Sequence, residues 1–127
     1  MFDHVGIRVS DYQAARAFYE KVLAVFGYKV VYEMPSMPTF CGFGADKPMF
    51  WISQAHEAGH ASQGVHVGFA AKDQAEVQAF YAAGLAVGGK DNGQPGPRPD
   101  YGPTYYGGFV LDLDGNNVEA VCHVPQA

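Results

Sequence analysis

The chain has little of several things, and each shortage removes a class of function. Cysteine occurs only at Cys41 and Cys122, which supplies neither a disulfide framework nor the paired spacing of a cysteine zinc site. Lysine and arginine number eight against thirteen acidic residues, for a formal charge of −5. They form no cluster, so a nucleic-acid surface is excluded. No apolar run reaches the length that spans a bilayer. The opening Phe2-Asp3-His4-Val5 lacks the basic and apolar regions of a secretory signal. The expectation is a cytoplasmic protein with no nucleic-acid or membrane partner. Hydrophobic residues make up 48% of the sequence, enough for one ordinary globular core in a chain of this length.

What the sequence does have is a repeat. Asp3-His4-Val5-Gly6-Ile7 aligns with Val65-His66-Val67-Gly68-Phe69. At the same offset Asp11 falls on Asp73, Phe18-Tyr19 on Phe80-Tyr81, Leu23-Ala24-Val25 on Leu85-Ala86-Val87, and Gly27 on Gly89. No gap is needed, so the chain is read as an internal duplication.

Each copy predicts the same local order. In Val5–Val9, Val5, Ile7 and Val9 alternate with Gly6 and Arg8, as a half-buried strand requires. Asp11 and Asp73 stand where helix N-caps belong. The apolar residues that follow, with Val77, Phe80, Tyr81 and Leu85 inward in the second copy, keep helical spacing. Gly27 and Gly88-Gly89 mark the helix ends. Strands are expected at 29–33, 39–44 and 50–53 in copy one, and at 104–112 and 117–123 in copy two. A tight turn is expected at Asp112-Leu113-Asp114-Gly115-Asn116. The fold class is therefore α+β: two tandem βαβββ modules forming a cup-shaped mixed sheet. Together they make a single domain over 1–127, with module one at 1–54, a polar linker at 55–63 and module two at 64–127.

Two histidines at equivalent strand positions call for a third ligand. Aligning the last strands on Asp46 and Asp114 sets Glu119 opposite Trp51. Glu119 interrupts the apolar run Val118, Ala120, Val121, where a carboxylate is costly unless it is paired or bound to a metal. His4, His66 and Glu119 are thus candidate ligands of a divalent metal, two imidazoles and a carboxylate with positions left open. The alternative is a pocket wall in which the three only hydrogen-bond one another.

At these residues the chain resembles the vicinal oxygen chelate superfamily, which includes glyoxalase I, extradiol dioxygenases, fosfomycin-resistance enzymes and bleomycin-resistance proteins. The resemblance rests on Asp3-His4-Val5-Gly6-Ile7-Arg8-Val9-Ser10-Asp11, on Phe18-Tyr19…Leu23, and on Leu111-Asp112-Leu113-Asp114-Gly115-Asn116-Asn117-Val118-Glu119-Ala120-Val121. It implies paired βαβββ modules around a metal, with His4, His66 and Glu119 as ligands, and a homodimer as the assembly. Glyoxalase I has a second carboxylate near the position of Trp51. The His, His, Glu set looks more like the dioxygenases or the fosfomycin-resistance enzymes. The resemblance implies a metal-dependent enzyme, of lyase, isomerase or dioxygenase type, on a small molecule that chelates through oxygens. Iron or manganese would favour oxygen chemistry, and nickel or zinc isomerase or lyase chemistry. The alternative is a metal-free binding or sequestering protein of the bleomycin-resistance type.

Other signals are weaker. The Gly- and Pro-rich stretch 89–106 reads either as a lid or as a stiff connector. As a lid it would bring Arg98 and Tyr101 to the substrate, with Tyr105 and Tyr106 as candidate catalytic groups. Arg8, on the strand face of His4, would meet an acidic substrate group or an acidic neighbour, and Trp51 would form an apolar wall. His56-Glu57-Ala58-Gly59-His60 matches a zinc-protease pattern that needs a helix. Lying in the linker with Gly59 inside, it is read as polar linker.

Overall fold

A computed structural model describes residues 1–123. It divides into two compact units, one over residues 1–63 and one from residue 64 onward, each built as one βαβββ module. Module one contains β1 (Val5–Val9), α1 (Tyr12–Ala24), β2 (Lys29–Glu33), β3 (Phe40–Gly44) and β4 (Phe50–Gln54). Module two contains β5 (His66–Ala70), α2 (Gln74–Ala86), β6 (Lys90–Pro97), β7 (Tyr106–Leu111) and β8 (Asn117–Cys122). The sheet orders are β1-β4-β3-β2 and β5-β8-β7-β6. The first strand of each module runs parallel to the last, and the other pairs are antiparallel.

The helices start and stop for the reasons visible in the sequence. Asp11 accepts the Ala14 N–H at 3.1 Å and Asp73 the Glu76 N–H at 2.9 Å, each satisfying a donor of the first turn. Glu76 reaches back to the Lys72 N–H at 3.0 Å, so the second helix start is capped twice. At the other end Gly27 and Gly88 take positive φ, +80° and +98°, which lets the chain reverse without the Cβ strain other residues would carry.

Each helix covers one sheet face. Ile7, Val9, Cys41, Phe43, Phe50 and Ile52 are buried in module one with Phe18, Tyr19, Val22 and Leu23 of α1. In module two Val110, Val118, Ala120 and Cys122 are buried with Val77 and Phe80 of α2. The helix stripe there differs from the expected one, because Leu85 is 40% exposed and Gly84 is buried. A Cβ at Gly84 would lie 3.0 Å from both methyl groups of Val110. The contact line runs through that glycine and turns Leu85 outward.

One expectation along the chain is corrected. Residues 90–97 are not loop but the edge strand β6, paired with β7. Its register slips between Asp91 and Gly93 and again between Gly93 and Gly96. An edge strand needs bonds on one side only, and bulges absorb proline and glycine. Only residues 98–105 remain as a connection, closed by Tyr101 N–H to Arg98 O and Arg98 N–H to Tyr105 O, both 2.9 Å. The segment 55–63 packs along β1: the Ala55 N–H donates to Val9 O, the Ser62 N–H to Arg8 O, and the Arg8 N–H to Ser62 Oγ, each at 2.9 Å.

Candidate functional site

Module two carries a polar cluster on the sheet face opposite α2. Along β8, Val118, Ala120 and Cys122 turn to the helix and are buried, so alternation turns Glu119 to the other face. There it lies across from Gly68 of β5 and Phe109 of β7. Its side chain is only 4% exposed, and both oxygens are engaged. Oε1 lies 2.6 Å from His66 Nε2, and Oε2 accepts the Tyr105 hydroxyl at 2.6 Å. The His66 ring is 55% exposed and packs beside Phe109. Burial first, and then the Glu119 carboxylate, push the Tyr105 phenol above its usual range, so it is the proton donor of this bond at neutral pH.

A glycine makes the room: a Cβ at Gly107 would stand 3.1 Å from the Tyr105 ring and 3.3 Å from Glu119 Oε2, whereas one at Gly68 would meet Glu119 Cγ at an ordinary 3.4 Å. Tyr105 is held between Tyr101 and His123, with edge-to-face centroid distances of 5.2 Å in both pairs. Close by, the side-chain oxygen of Asn117, which pairs in register with His66, is buried without a hydrogen-bond partner. Such an orphan acceptor is uncommon in native proteins.

The corresponding face of module one has different chemistry. Trp51 pairs with Gly6 as Glu119 pairs with Gly68. Its indole lies over Gly42, where a Cβ would come within 3.1 Å of the ring. Tyr32 and Phe40 pack around it at centroid distances of 5.3 and 6.3 Å. His4 sits edge-on to Trp51 at 6.5 Å, and its Nδ1 contacts Asp3 at 2.7 Å. That contact holds the Asp3 carboxyl below the usual carboxylate range.

Of the residues singled out in the sequence, His66, Glu119 and Tyr105 come together in module two. Tyr101 borders them through Tyr105. Arg98 lies over Phe109 at 5.3 Å, but its guanidinium folds back on its own strand end, donating to Gln94 O at 2.7 Å, Gly96 O at 3.0 Å and Pro97 O at 3.2 Å. Tyr106 is on the α2 side of the sheet, where its hydroxyl accepts from Gln78 at 3.0 Å. His4, Arg8 and Trp51 belong to module one, with His4 and Arg8 exposed. Among the described residues no group of three His, Cys, Asp or Glu side chains forms that could hold a metal. In the linker, residues 58–60 form one 3-10 turn, and His60 lies 3.6 Å from Glu57. This short turn is not the helix that a zinc-protease motif requires. Sequence reasoning missed Phe109, Gly107 and Asn117. The first two carry no polar group to signal a site, and Asn117 is masked by the turn-forming residues before it.

Known proteins share this architecture. The family model described as Glyoxalase/Bleomycin resistance protein/Dioxygenase superfamily matches residues 1–120. A glyoxalase/bleomycin resistance protein from Albidiferax ferrireducens T118 is 28% identical, with a TM-score of 0.82 over 98% of this chain and 99% of its own. A lactoylglutathione lyase from Agrobacterium tumefaciens is 25% identical, with a TM-score of 0.68 over 96% and 92%. A glyoxalase/bleomycin resistance protein/dioxygenase family enzyme from Burkholderia phytofirmans PsJN, at 22% identity and TM-score 0.71 over 96% and 98%, shares the fold. No curated protein sequence matches. With the family model spanning nearly all of two βαβββ modules, the chain belongs to the glyoxalase/bleomycin resistance protein/dioxygenase superfamily.

Proposed function

We propose that the protein is a divalent-metal-dependent enzyme acting on a small molecule that chelates the metal through oxygens, by lyase or isomerase chemistry or by dioxygenase chemistry. The observation that carries this reading is the buried Glu119 carboxylate, with one oxygen facing His66 Nε2 at 2.6 Å and the other fixed by Tyr105. The contact sets an imidazole nitrogen and a carboxylate oxygen side by side, two donors that one cation could share. Nitrogen and carboxylate donors together suit iron, manganese, zinc or nickel. The unpaired Asn117 oxygen beside His66 fits a site that gains polar partners on binding. His66 and Glu119 would hold the ion, with His4, the repeat equivalent of His66, as the third ligand. The metal would supply Lewis acidity for enolate or oxyanion charge, or a place for dioxygen.

In this reading the chain's own residues have separate tasks. Glu119 and His66 bind, and Tyr105 orients Glu119. Trp51 offers an apolar wall to the substrate, with Arg8 and Tyr101 as further contacts. Cytoplasmic residence fits two free cysteines, and a homodimer fits the exposed Phe2, Val5 and Met49. Metal analysis of untagged protein tests the centre of the proposal. Near-stoichiometric metal that is lost in His66→Ala, Glu119→Ala and His4→Ala is the expected result. Stoichiometric metal surviving all three substitutions would sink it. The second reading, a metal-free binding protein, is favoured by one feature: Tyr32, Phe40 and Trp51 form an aromatic cluster where a symmetric copy would carry a carboxylate. Wild-type protein that never holds metal above trace levels would support it.

A further inference from the structure

Tyr105 has a more specific role than filling space beside Glu119. A carboxylate can ligate through one oxygen or both, and the choice decides how many places around a cation remain for other ligands. Here the two oxygens are already distinguished. Oε1 faces His66 Nε2 at 2.6 Å. Oε2 is held on the opposite side by the Tyr105 hydroxyl at the same short distance, which marks a strong, charge-assisted bond. The arrangement is over-determined: Tyr105 is wedged between Tyr101 and His123, and the absence of a side chain at Gly107 is what lets the phenol and Oε2 meet.

We propose that Tyr105 is a positioning residue that restrains Glu119 to ligation through Oε1 alone, keeping one coordination place open for the second oxygen of a chelating substrate. The inference rests on the metal-dependent reading above. It needs no movement of the sheet, since the bond from the Tyr105 hydroxyl to Glu119 Oε2 is already formed.

The test uses the full chain and Mn²⁺ alone, then Mn²⁺ with oxalate as a two-oxygen probe and acetate as a one-oxygen control. Tyr105→Phe keeps the ring contacts and removes only the hydroxyl. Water-proton relaxation of the bound ion should report one fewer exchanging water in Tyr105→Phe. Oxalate should bind its Mn²⁺ complex about tenfold more weakly, the lower end of the loss typical when a ligand's supporting hydrogen bond is removed, with acetate little changed. Gly107→Ala, whose added carbon would press on the same contact from the other side, should shift both readouts in the same direction. Wild-type water number and oxalate affinity in Tyr105→Phe would overturn the positioning role while leaving the metal site standing. Wild-type protein that binds no Mn²⁺, Fe²⁺, Zn²⁺ or Ni²⁺ would remove the metal-dependent reading and this inference with it.

Discussion

If Glu119 is kept for function, the metal-free protein should not depend on it for stability. Glu119→Met is the informative change, because it keeps side-chain bulk and removes the charge. Three effects set the sign. Burying a carboxylate whose side chain is 4% exposed carries a desolvation cost of several kcal/mol, which the substitution relieves. Loss of the His66 contact forfeits under about 1 kcal/mol, since the ring is 55% exposed and its attraction is screened by water. The half-buried Tyr105 hydroxyl loses its acceptor, at about 1–2 kcal/mol. In a metal chelator, then, Glu119→Met should be between neutral and about 2 kcal/mol more stable than wild type. Tyr105→Phe should be about 1–3 kcal/mol less stable, because it strands Oε2 in a buried site. Urea unfolding followed by circular dichroism is the assay. Tryptophan fluorescence would watch the wrong module, since the single tryptophan is Trp51. With Mn²⁺ at a hundredfold over its dissociation constant, wild type gains about 2.7 kcal/mol and Glu119→Met gains nothing, so the order reverses. A loss of 2 kcal/mol or more in metal-free Glu119→Met would refute the reasoning and make Glu119 a structural residue.

Two further outcomes follow from the packing. Cys41 and Cys122 are 0% and 2% exposed, and burial pushes the Cys41 thiol up; a water-soluble disulfide reagent should label neither in native protein and both in urea, and rapid native labelling would contradict the core described. His56→Ala with His60→Ala should leave metal content unchanged, since the linker holds only a 3-10 turn there; a loss of metal measured by mass spectrometry would reinstate the protease-like pattern.

The duplication was readable because identical local signals recur at one spacing, and those signals act locally: an aspartate cap, a 3.6-residue stripe, a glycine stop. The relation between Trp51 and Glu119 was readable by counting from Asp46 and Asp114, and strand pairing gives the same relation through Gly6 and Gly68. β6 was not readable. Lys90–Pro97 contains two glycines and two prolines, poor strand formers whose cost is absorbed only because the strand lies at an edge and bulges twice. Nor could spacing show that Arg98 spends its hydrogen bonds on Gln94, Gly96 and Pro97, or that the Tyr105 hydroxyl meets Glu119 while the adjacent Tyr106 faces α2. Which way a side chain turns at a strand start depends on where the strand begins, and the expected start at 104 precedes the observed one at Tyr106.

The repeated modules show how one fold carries two chemistries. Across module one a single row of paired positions reads Tyr32, Gly42, Trp51, Gly6; across module two the same row reads Gly93, Phe109, Glu119, Gly68. The glycine beside the last strand has moved one strand outward. In module one the empty place at Gly42 is filled by the Pro48 ring and the Trp51 indole. In module two Phe109 takes that place and leans over Gly93, where a Cβ would come within 3.0 Å of its ring. The space above β8 is thus left to Glu119, and the row's neighbour Gly107, standing where module one has Phe40, admits Tyr105. A carboxylate alone at position 51 would therefore not recreate the site. It would lie over a glycine, and the position corresponding to Tyr105 is Pro38, which has no hydroxyl to hold its second oxygen. The chemistry of module two belongs to the whole row, and the glycines decide it as much as the glutamate does.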